Sequence, residues 1–215
     1  MSLILVTGII GSGKSEVIEI LRLMYHKCIV CDDMAKNVIE CRPQWKDVAT
    51  SIFDAQKILN RNGGINRNFL REAFCNPHYA EQIKQYEDAM ASAVIEEILN
   101  LQKQYPEDPI FVEAAYIPKF IERYGDKFKH TIFVTADNDI RRKRLIGRGV
   151  LPDRISAYEK AQPVDMESIK NNLNVAIIDN SGSKSDLAVK VEVVVNNWPD
   201  CRETTFMQNP HPFFK

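Results

Sequence analysis

The sequence of 215 residues lacks several features that define particular protein classes. No apolar run approaches the ~18 residues that a membrane-spanning helix needs, so we expect no membrane partner. Nine glycines and ten prolines fall below the usual combined share of about 12%, which argues against a linker-rich or disordered chain. Lys plus Arg (28) nearly balance Asp plus Glu (29), and this balance argues against a nucleic-acid partner.

The cysteines are few and odd in number, and the five of them form no convincing disulfide or zinc pattern. Cys28 and Cys31 form a C-x-x-C, but the segment between them is apolar and typical of a strand, where residues three apart point to opposite faces. We interpret the cysteines as buried, reduced thiols, which are typical of a cytoplasmic protein. The apolar start, residues 2–6, follows no basic segment, so we interpret it as a buried strand and not as a signal peptide.

Apolar, strand-like runs alternate with helix-like segments along the chain. This alternation predicts an α/β fold, with a parallel sheet covered by helices on both faces. The predicted strands lie at 3–6, 28–31, 110–114, 131–135 and 175–178.

The segments between the strands indicate how the chain is organised. We predict an α/β core from residues 1–60, 108–136 and 172–200, with a helical insertion at 61–107. Residues 137–171 are polar and rich in arginine, and we interpret them as a lid over the site. Residues 201–215 form a tail whose sequence pattern indicates no particular structure or function. We expect the protein to be a monomer or a weak homo-oligomer.

The strongest motif lies at residues 8–15 and fits G-x-x-x-x-G-K-[ST] in full. Its glycines let backbone N–H groups curl around phosphate oxygens, and the helix that follows points its positive end at the same anion. We expect Lys14 to reach the β- and γ-phosphates and Ser15 to offer its hydroxyl to Mg²⁺. The motif therefore predicts a site for ATP and Mg²⁺, built from Gly8, Ile9, Ile10, Gly11, Ser12, Gly13, Lys14 and Ser15.

Four classes of protein share this loop: small-molecule kinases, GTPase switches, motor ATPases and binding proteins without chemistry. A switch would show D-x-x-G and [NT]-K-x-D elements, and neither occurs at a plausible place, while the chain is short for a motor. A kinase needs an acid beside the loop, and Asp32 and Asp33 follow the second predicted strand. One of the two could instead cap the next helix.

A kinase also needs cations over the phosphates, and an arginine cluster meets this need. Arg141, Arg144 and Arg148 fall on one face of a predicted helix by their spacing and could clamp phosphoryl oxygens. A solvated basic face is the alternative interpretation of this cluster.

With these motifs the sequence resembles the dephospho-CoA kinases, over about residues 3–195. The resemblance rests on the phosphate loop and on segments that match the family in order along the chain. These segments are Asp32 with Ala35-Lys36, 65–71 with Phe74 and Asn76-Pro77, Arg144 with Arg148, Ala161-Gln162, and 178–180 with Gly182.

The resemblance implies a P-loop core, an acceptor-binding helical region and transfer of the ATP γ-phosphoryl to the ribose 3′-hydroxyl of dephospho-CoA. It implies Asp32 as the base, and Lys14 and Arg144 as catalytic cations. It also implies nucleotide contacts by Arg148 and Asn180. The acceptor contacts it implies are Thr7, Asp32, Arg67, Arg71 and Gln162.

The sequence departs from the family pattern at positions that shape the acceptor pocket. Val30 replaces the first Asp of the family's D-A-D, Asp88-Ala89 replaces a His-Pro pair, and residues 113–120 replace an apolar segment. Two alternatives therefore stay open. One is a kinase of another nucleotide or small alcohol, and the other is a non-catalytic ATP-binding paralogue.

Overall fold

The fold was analysed in a computed structural model that describes residues 2–74, 76–115, 118–161, 167 and 174–201. In this part of the chain, five strands form one parallel sheet in the order β2-β3-β1-β4-β5. The strands are β1 Leu3–Gly8, β2 Lys27–Val30, β3 Ile110–Glu113, β4 His130–Thr135 and β5 Val175–Asp179.

β1 lies at the centre of the sheet and is buried along its whole length. Leu3 pairs with Ile110 of β3, and Ile4 pairs with His130 of β4. A strand buried on both faces needs apolar side chains at every position, which explains the unbroken run at its start. The five strands predicted from apolar runs are thereby confirmed, with ends displaced by no more than a few residues.

Helices follow the strands in the expected alternation. Their bounds are α1 Lys14–Leu23, α2 Cys31–Cys41, α3 Gln44–Ile52, α4 Ala55–Ile58, α5 Arg67–Phe74, α6 Ala80–Gln104, α7 Pro118–Tyr124, α8 Asn138–Gly147, α9 Pro152–Ala161 and α10 Lys184–Asn196. Short 3₁₀ turns lie at Pro77–Tyr79, Gly125–Lys127 and Pro199–Cys201. None of the helices within the described residues is long and apolar enough to cross a membrane.

The chain divides into two compact units, residues 1–30 with 104–215, and residues 31–103. The first unit contains the sheet. On one face, Ile4 and Val6 of β1 pack with Val17 of α1 and Val191 of α10. On the other face, Phe133 of β4 packs against Ile121 of α7. Helices thus cover both faces, as the alternating pattern predicted.

The second unit is helical and has a core of its own. Trp45 donates its indole N–H to the Tyr86 hydroxyl at 3.1 Å, and Phe53 and Leu70 pack in the same cluster. The predicted boundary of the helical insertion, at residue 61, differs from this division, which begins at Cys31. The reason is that α2 and α3 bury Val38 and Trp45 in the helical core, and helical periodicity alone does not reveal which core a helix joins.

Candidate functional site

The phosphate loop connects the end of β1 to the start of α1, and its shape depends on glycine. Gly8, Gly11 and Gly13 have φ values of 150°, 79° and 96°, a region that other residues rarely adopt. A Cβ atom at Gly8 would lie 2.0 Å from the Val134 carbonyl oxygen, so β4 permits only glycine there. The motif's glycines are therefore explained by backbone conformation and by close packing.

The carbonyl oxygens of alternate loop residues accept hydrogen bonds from cationic side chains. Lys14 Nζ donates to Gly8 O at 3.1 Å, Arg141 Nη1 to Ile10 O at 3.2 Å, and Arg144 Nη1 to Ser12 O at 3.2 Å. Since carbonyls that face these donors leave the neighbouring N–H groups facing the other way, the loop is arranged to receive an anion.

Asn180 connects the loop after β5 to the phosphate loop. The residue is 2% exposed, and its side-chain Nδ2 donates to Ser12 O at 2.9 Å, while Arg144 Nη2 donates to the Asn180 carbonyl at 3.0 Å. A Cβ atom at Gly13 would lie 2.2 Å from the same Nδ2. The structure thus brings together Arg144, Asn180 and the loop, three features that the sequence analysis had assigned to one site.

A cleft of about 430 Å³ opens beside the start of α1. It is bordered by Gly13, Ser15, Glu16, Glu19, Arg144, Gly147 and Arg148. Ser15 and Arg148 are exposed, and Arg144 is half-buried, so both arginines can meet a ligand in this space. Glu16 forms an ion pair with Lys184 at 3.1 Å. Ser15 is exposed, so its hydroxyl could bind Mg²⁺ beside phosphate oxygens and water, as the Ser or Thr of this motif does.

Thr7 differs from the expectation of an acceptor contact. It lies in the central strand at 1% exposure, and its hydroxyl has no hydrogen-bond partner within the described residues. A direct contact with an acceptor would need this side chain to become accessible, so the acceptor role of Thr7 stays a prediction. Ile9 and Ile10 are half-buried, so their part in a phosphate site falls to the backbone.

Asp32 and Asp33 both lie in the first turn of α2, because that helix begins at Cys31 directly after β2 ends at Val30. The alternative that one of the two caps this helix is therefore wrong, because the helix has already begun before both residues. Asp33 instead accepts a hydrogen bond from Lys36 at 2.7 Å, and this contact raises the pKa of the Lys36 amine. Asp32 is exposed.

The two predicted acceptor arginines lie on α5, four residues apart. Arg67 forms an ion pair with Glu40 of α2, and Arg71 is exposed. Within the helical unit, a pocket of about 590 Å³ has polar walls and two isoleucines. Its lining residues are Ile39, Glu40, Asn60, Gly64, Ile65, Asn66, Arg67 and Asn68. Gln162, the remaining predicted acceptor contact, lies outside the described residues.

Two contacts were missed in the sequence. Glu40 pairs with Arg67, and Arg141, at 4% exposure, donates to the phosphate loop at Ile10 O. No spacing rule joins residues so far apart in the chain. The only signal was that Arg141 precedes Arg144 by one helical turn, which indicates a shared face but not its partner.

Cysteine and histidine residues do not form a metal centre in the part of the chain that the structure describes. Cys28 is buried in β2, and burial raises the pKa of its thiol to about 12, while Cys31 belongs to α2. His26 is buried against Phe111, with ring centroids 4.9 Å apart, and burial lowers its pKa to about 4. Among the described residues, the groups suited to binding a ligand thus lie around the phosphate loop and along the polar pocket of the helical unit.

Solved structures of small-molecule kinases share this fold. A dephospho-CoA kinase from Campylobacter jejuni is similar with a TM-score of 0.63 and 23% identity, covering 91% of this chain and 96% of that one. A shikimate kinase from Acinetobacter baumannii is similar with a TM-score of 0.53 and 12% identity, covering 92% and 94%. At such identities the likeness concerns the fold, and it confirms the predicted P-loop α/β architecture.

Sequence comparison gives the family. A dephospho-CoA kinase from Corynebacterium jeikeium is 30% identical over 189 residues, which cover 86% of this chain and 94% of the relative. Another, from Streptococcus pneumoniae, is 26% identical over 193 residues, covering 88% and 92%. The family model for dephospho-CoA kinase (CoaE) matches residues 2–186. The resemblance seen in the motifs is confirmed, and this chain belongs to the dephospho-CoA kinase family.

Proposed function

We propose that this chain transfers the γ-phosphoryl group of ATP to the ribose 3′-hydroxyl of dephospho-CoA, which is the final step of coenzyme A synthesis. The observation that carries the proposal is the family match over residues 2–186, together with a phosphate loop whose carbonyls are held away from the anion site. The acceptor, the metal and the role of each residue are our proposals.

The loop receives the nucleotide's phosphates through its N–H groups and the positive end of α1. Lys14 then exchanges its hydrogen bond with Gly8 O for the β- and γ-phosphates. Arg144 and Arg148, which border the cleft, stabilise the negative charge on the transferred group. Asn180 shapes the nucleotide site through Ser12 O. Mg²⁺ would be held by Ser15 together with phosphate oxygens, and it would neutralise part of their charge.

The helical unit supplies the acceptor contacts. Arg67, beside the polar pocket, and the exposed Arg71 are suited to an acceptor that carries phosphate groups. Asp32 follows β2 by two residues, and its exposed carboxylate accepts the proton of the acceptor hydroxyl. The acceptor oxygen forms a bond to the γ-phosphorus, the bond to the bridging oxygen breaks, and ADP leaves.

One observation favours a second acceptor, another nucleotide or a small alcohol. Val30 occupies the position of an acid in the family pattern, and it packs against the apolar core of the sheet. An apolar side chain at that position cannot accept a hydrogen bond from an acceptor hydroxyl, so this part of acceptor recognition has changed.

A product assay distinguishes the two. The purified chain is incubated with ATP, Mg²⁺ and dephospho-CoA, and nucleotides are separated by chromatography; we expect CoA and ADP in equal amounts. The Lys14→Ala variant, purified in the same way, controls for a contaminating kinase. Phosphorylation of AMP, adenosine or a small alcohol without any CoA formation would assign the second acceptor. ATP binding with no turnover of any acceptor would indicate a non-catalytic paralogue.

A further inference from the structure

We infer that Arg141 is a positioning residue that fixes the phosphate loop in its nucleotide-binding conformation without contacting the nucleotide. The inference rests on the proposed use of ATP, but not on the identity of the acceptor. It departs from the sequence-based interpretation, which placed Arg141 with Arg144 and Arg148 as a clamp on phosphoryl oxygens.

The contacts of Arg141 point to the loop and to its own helix. Nη1 donates to Ile10 O at 3.2 Å, and Nη2 donates to Asn138 Oδ1 at 2.6 Å. The residue is 4% exposed, whereas Arg144 and Arg148 border the cleft. A guanidinium group that donates to the loop and to its own helix from a buried residue is not placed to follow a phosphate in solvent.

The loop and α8 are also in direct backbone contact. A Cβ atom at Gly11 would lie 3.0 Å from the Arg141 carbonyl oxygen and 3.1 Å from Leu145 Cγ. The hydrogen bond to Ile10 O therefore forms beside a tightly packed contact and is partly buried, where a charge-assisted bond is stronger than at the surface. Loss of the guanidinium would leave the Ile10 carbonyl without this donor.

Peptide geometry connects this bond to function. In a trans peptide, the carbonyl of one residue and the N–H of the next point in opposite directions. The hydrogen bond from Arg141 to Ile10 O therefore sets the direction of the Gly11 N–H. In the same way, the hydrogen bonds from Arg144 and Asn180 to Ser12 O set the direction of the Gly13 N–H. Because glycine at position 11 lets this peptide rotate easily, the Gly11 N–H depends on Arg141 to stay aimed at the anion.

The test measures ATP affinity by calorimetry, which needs no acceptor, and KM and kcat with whichever acceptor the product assay identifies. Arg141→Met removes the donors while keeping a long side chain, and we expect ATP to bind about 10- to 100-fold more weakly. The KM for the acceptor should stay within about twofold. Arg141→Lys should recover part of the affinity, because an ammonium group can reach one acceptor but cannot reproduce the planar fork.

Two further variants keep the inference falsifiable. Lys143→Met, on the exposed side of the same helix, is the matched control and should bind ATP as the unaltered chain does. Asn138→Ala removes the acceptor of Nη2 at an exposed position, so it should fold even if Arg141→Met does not, and it should weaken ATP binding about 3- to 10-fold. Unchanged ATP affinity in the folded Arg141→Met and Asn138→Ala variants would overturn the inference. An equal loss of affinity for ATP and acceptor would overturn it too, since that indicates a general structural defect.

Discussion

Lys14 and Gly8 are joined across the phosphate loop by a hydrogen bond of 3.1 Å from the lysine ammonium group to the glycine carbonyl oxygen. The bond holds the lysine over the loop before any anion arrives. A nucleotide therefore meets a cation that is already in place, and little of the binding free energy is lost in ordering a long side chain.

Lys14→Ala should lower kcat by about 10²- to 10³-fold, because a charged donor to the transferred phosphoryl group is lost. The melting temperature of the variant should stay close to that of the unaltered chain, since Lys14 is only half-buried. Steady-state kinetics and thermal denaturation measure both effects, with Lys143→Ala as the control for loss of a lysine. Normal turnover by folded Lys14→Ala would rule out the proposed role of the loop lysine.

Asp32 and Asp33 are adjacent but should respond differently to substitution. Asp32→Asn should lower kcat by about 10²- to 10⁴-fold with little change in the KM for ATP, because it removes the proposed base. Asp33→Asn disrupts only an exposed pair with Lys36, so turnover and melting temperature should change little. If kcat collapses in Asp33→Asn and not in Asp32→Asn, the base has been assigned to the wrong carboxylate.

Gly8→Ala tests the close packing between the loop and β4. The new methyl group would lie 2.0 Å from the Val134 carbonyl oxygen, so the two strands would have to separate. We expect a loss of about 2–4 kcal/mol in the free energy of unfolding. Gly147→Ala is the matched control, because its Cβ would meet nothing within 4 Å at the end of α8. Urea denaturation that gives both variants equal stability would contradict this explanation of Gly8.

His26 makes stability depend on pH. Burial lowers its pKa from the ordinary 6.5 to about 4 in the folded chain. Between these values the unfolded chain binds more protons than the folded chain, so the free energy of unfolding falls as pH falls from 6.5 toward 4. The contribution of one such group is at most about 1.4 kcal/mol per pH unit.

The measurement is urea denaturation at intervals across this range. His26→Gln removes the titrating group, so its stability should fall less steeply with decreasing pH, whatever its stability at pH 8. His78→Gln, at an exposed position, should keep the original slope. Identical slopes for the His26 variant and the unaltered chain would show that His26 does not account for the pH dependence.

The sequence revealed those parts of the fold that depend on local pattern. A strand buried on both faces needs an apolar run, and the phosphate loop needs glycines at fixed positions, so both could be predicted with their residues. The start of α2 could not be predicted. β2 passes directly into the helix at Cys31, so no separate capping residue stands between the strand and the helix. The alternative of an aspartate cap was therefore wrong.

The partners of charged side chains were also beyond prediction. Arg141 and Ile10, or Arg67 and Glu40, meet only when the chain has folded, and nothing near each residue specifies the other. Burial was likewise not predicted for Thr7: the resemblance implies an acceptor contact, whereas its side chain lies inside the sheet.

The central position of β1 has a consequence for the order in which the chain folds. β1 is synthesised well before its neighbours β3 and β4, which begin at Ile110 and His130, so it cannot pair until they have been made. The helical residues 31–103 have their own core of local contacts, and we expect them to gain protection in pulsed hydrogen exchange before the sheet does. Earlier protection of β1 would contradict this order. In the expected order, the phosphate loop forms late, because it follows directly after β1. A newly made chain therefore acquires the helices of residues 31–103 well before it can hold a nucleotide.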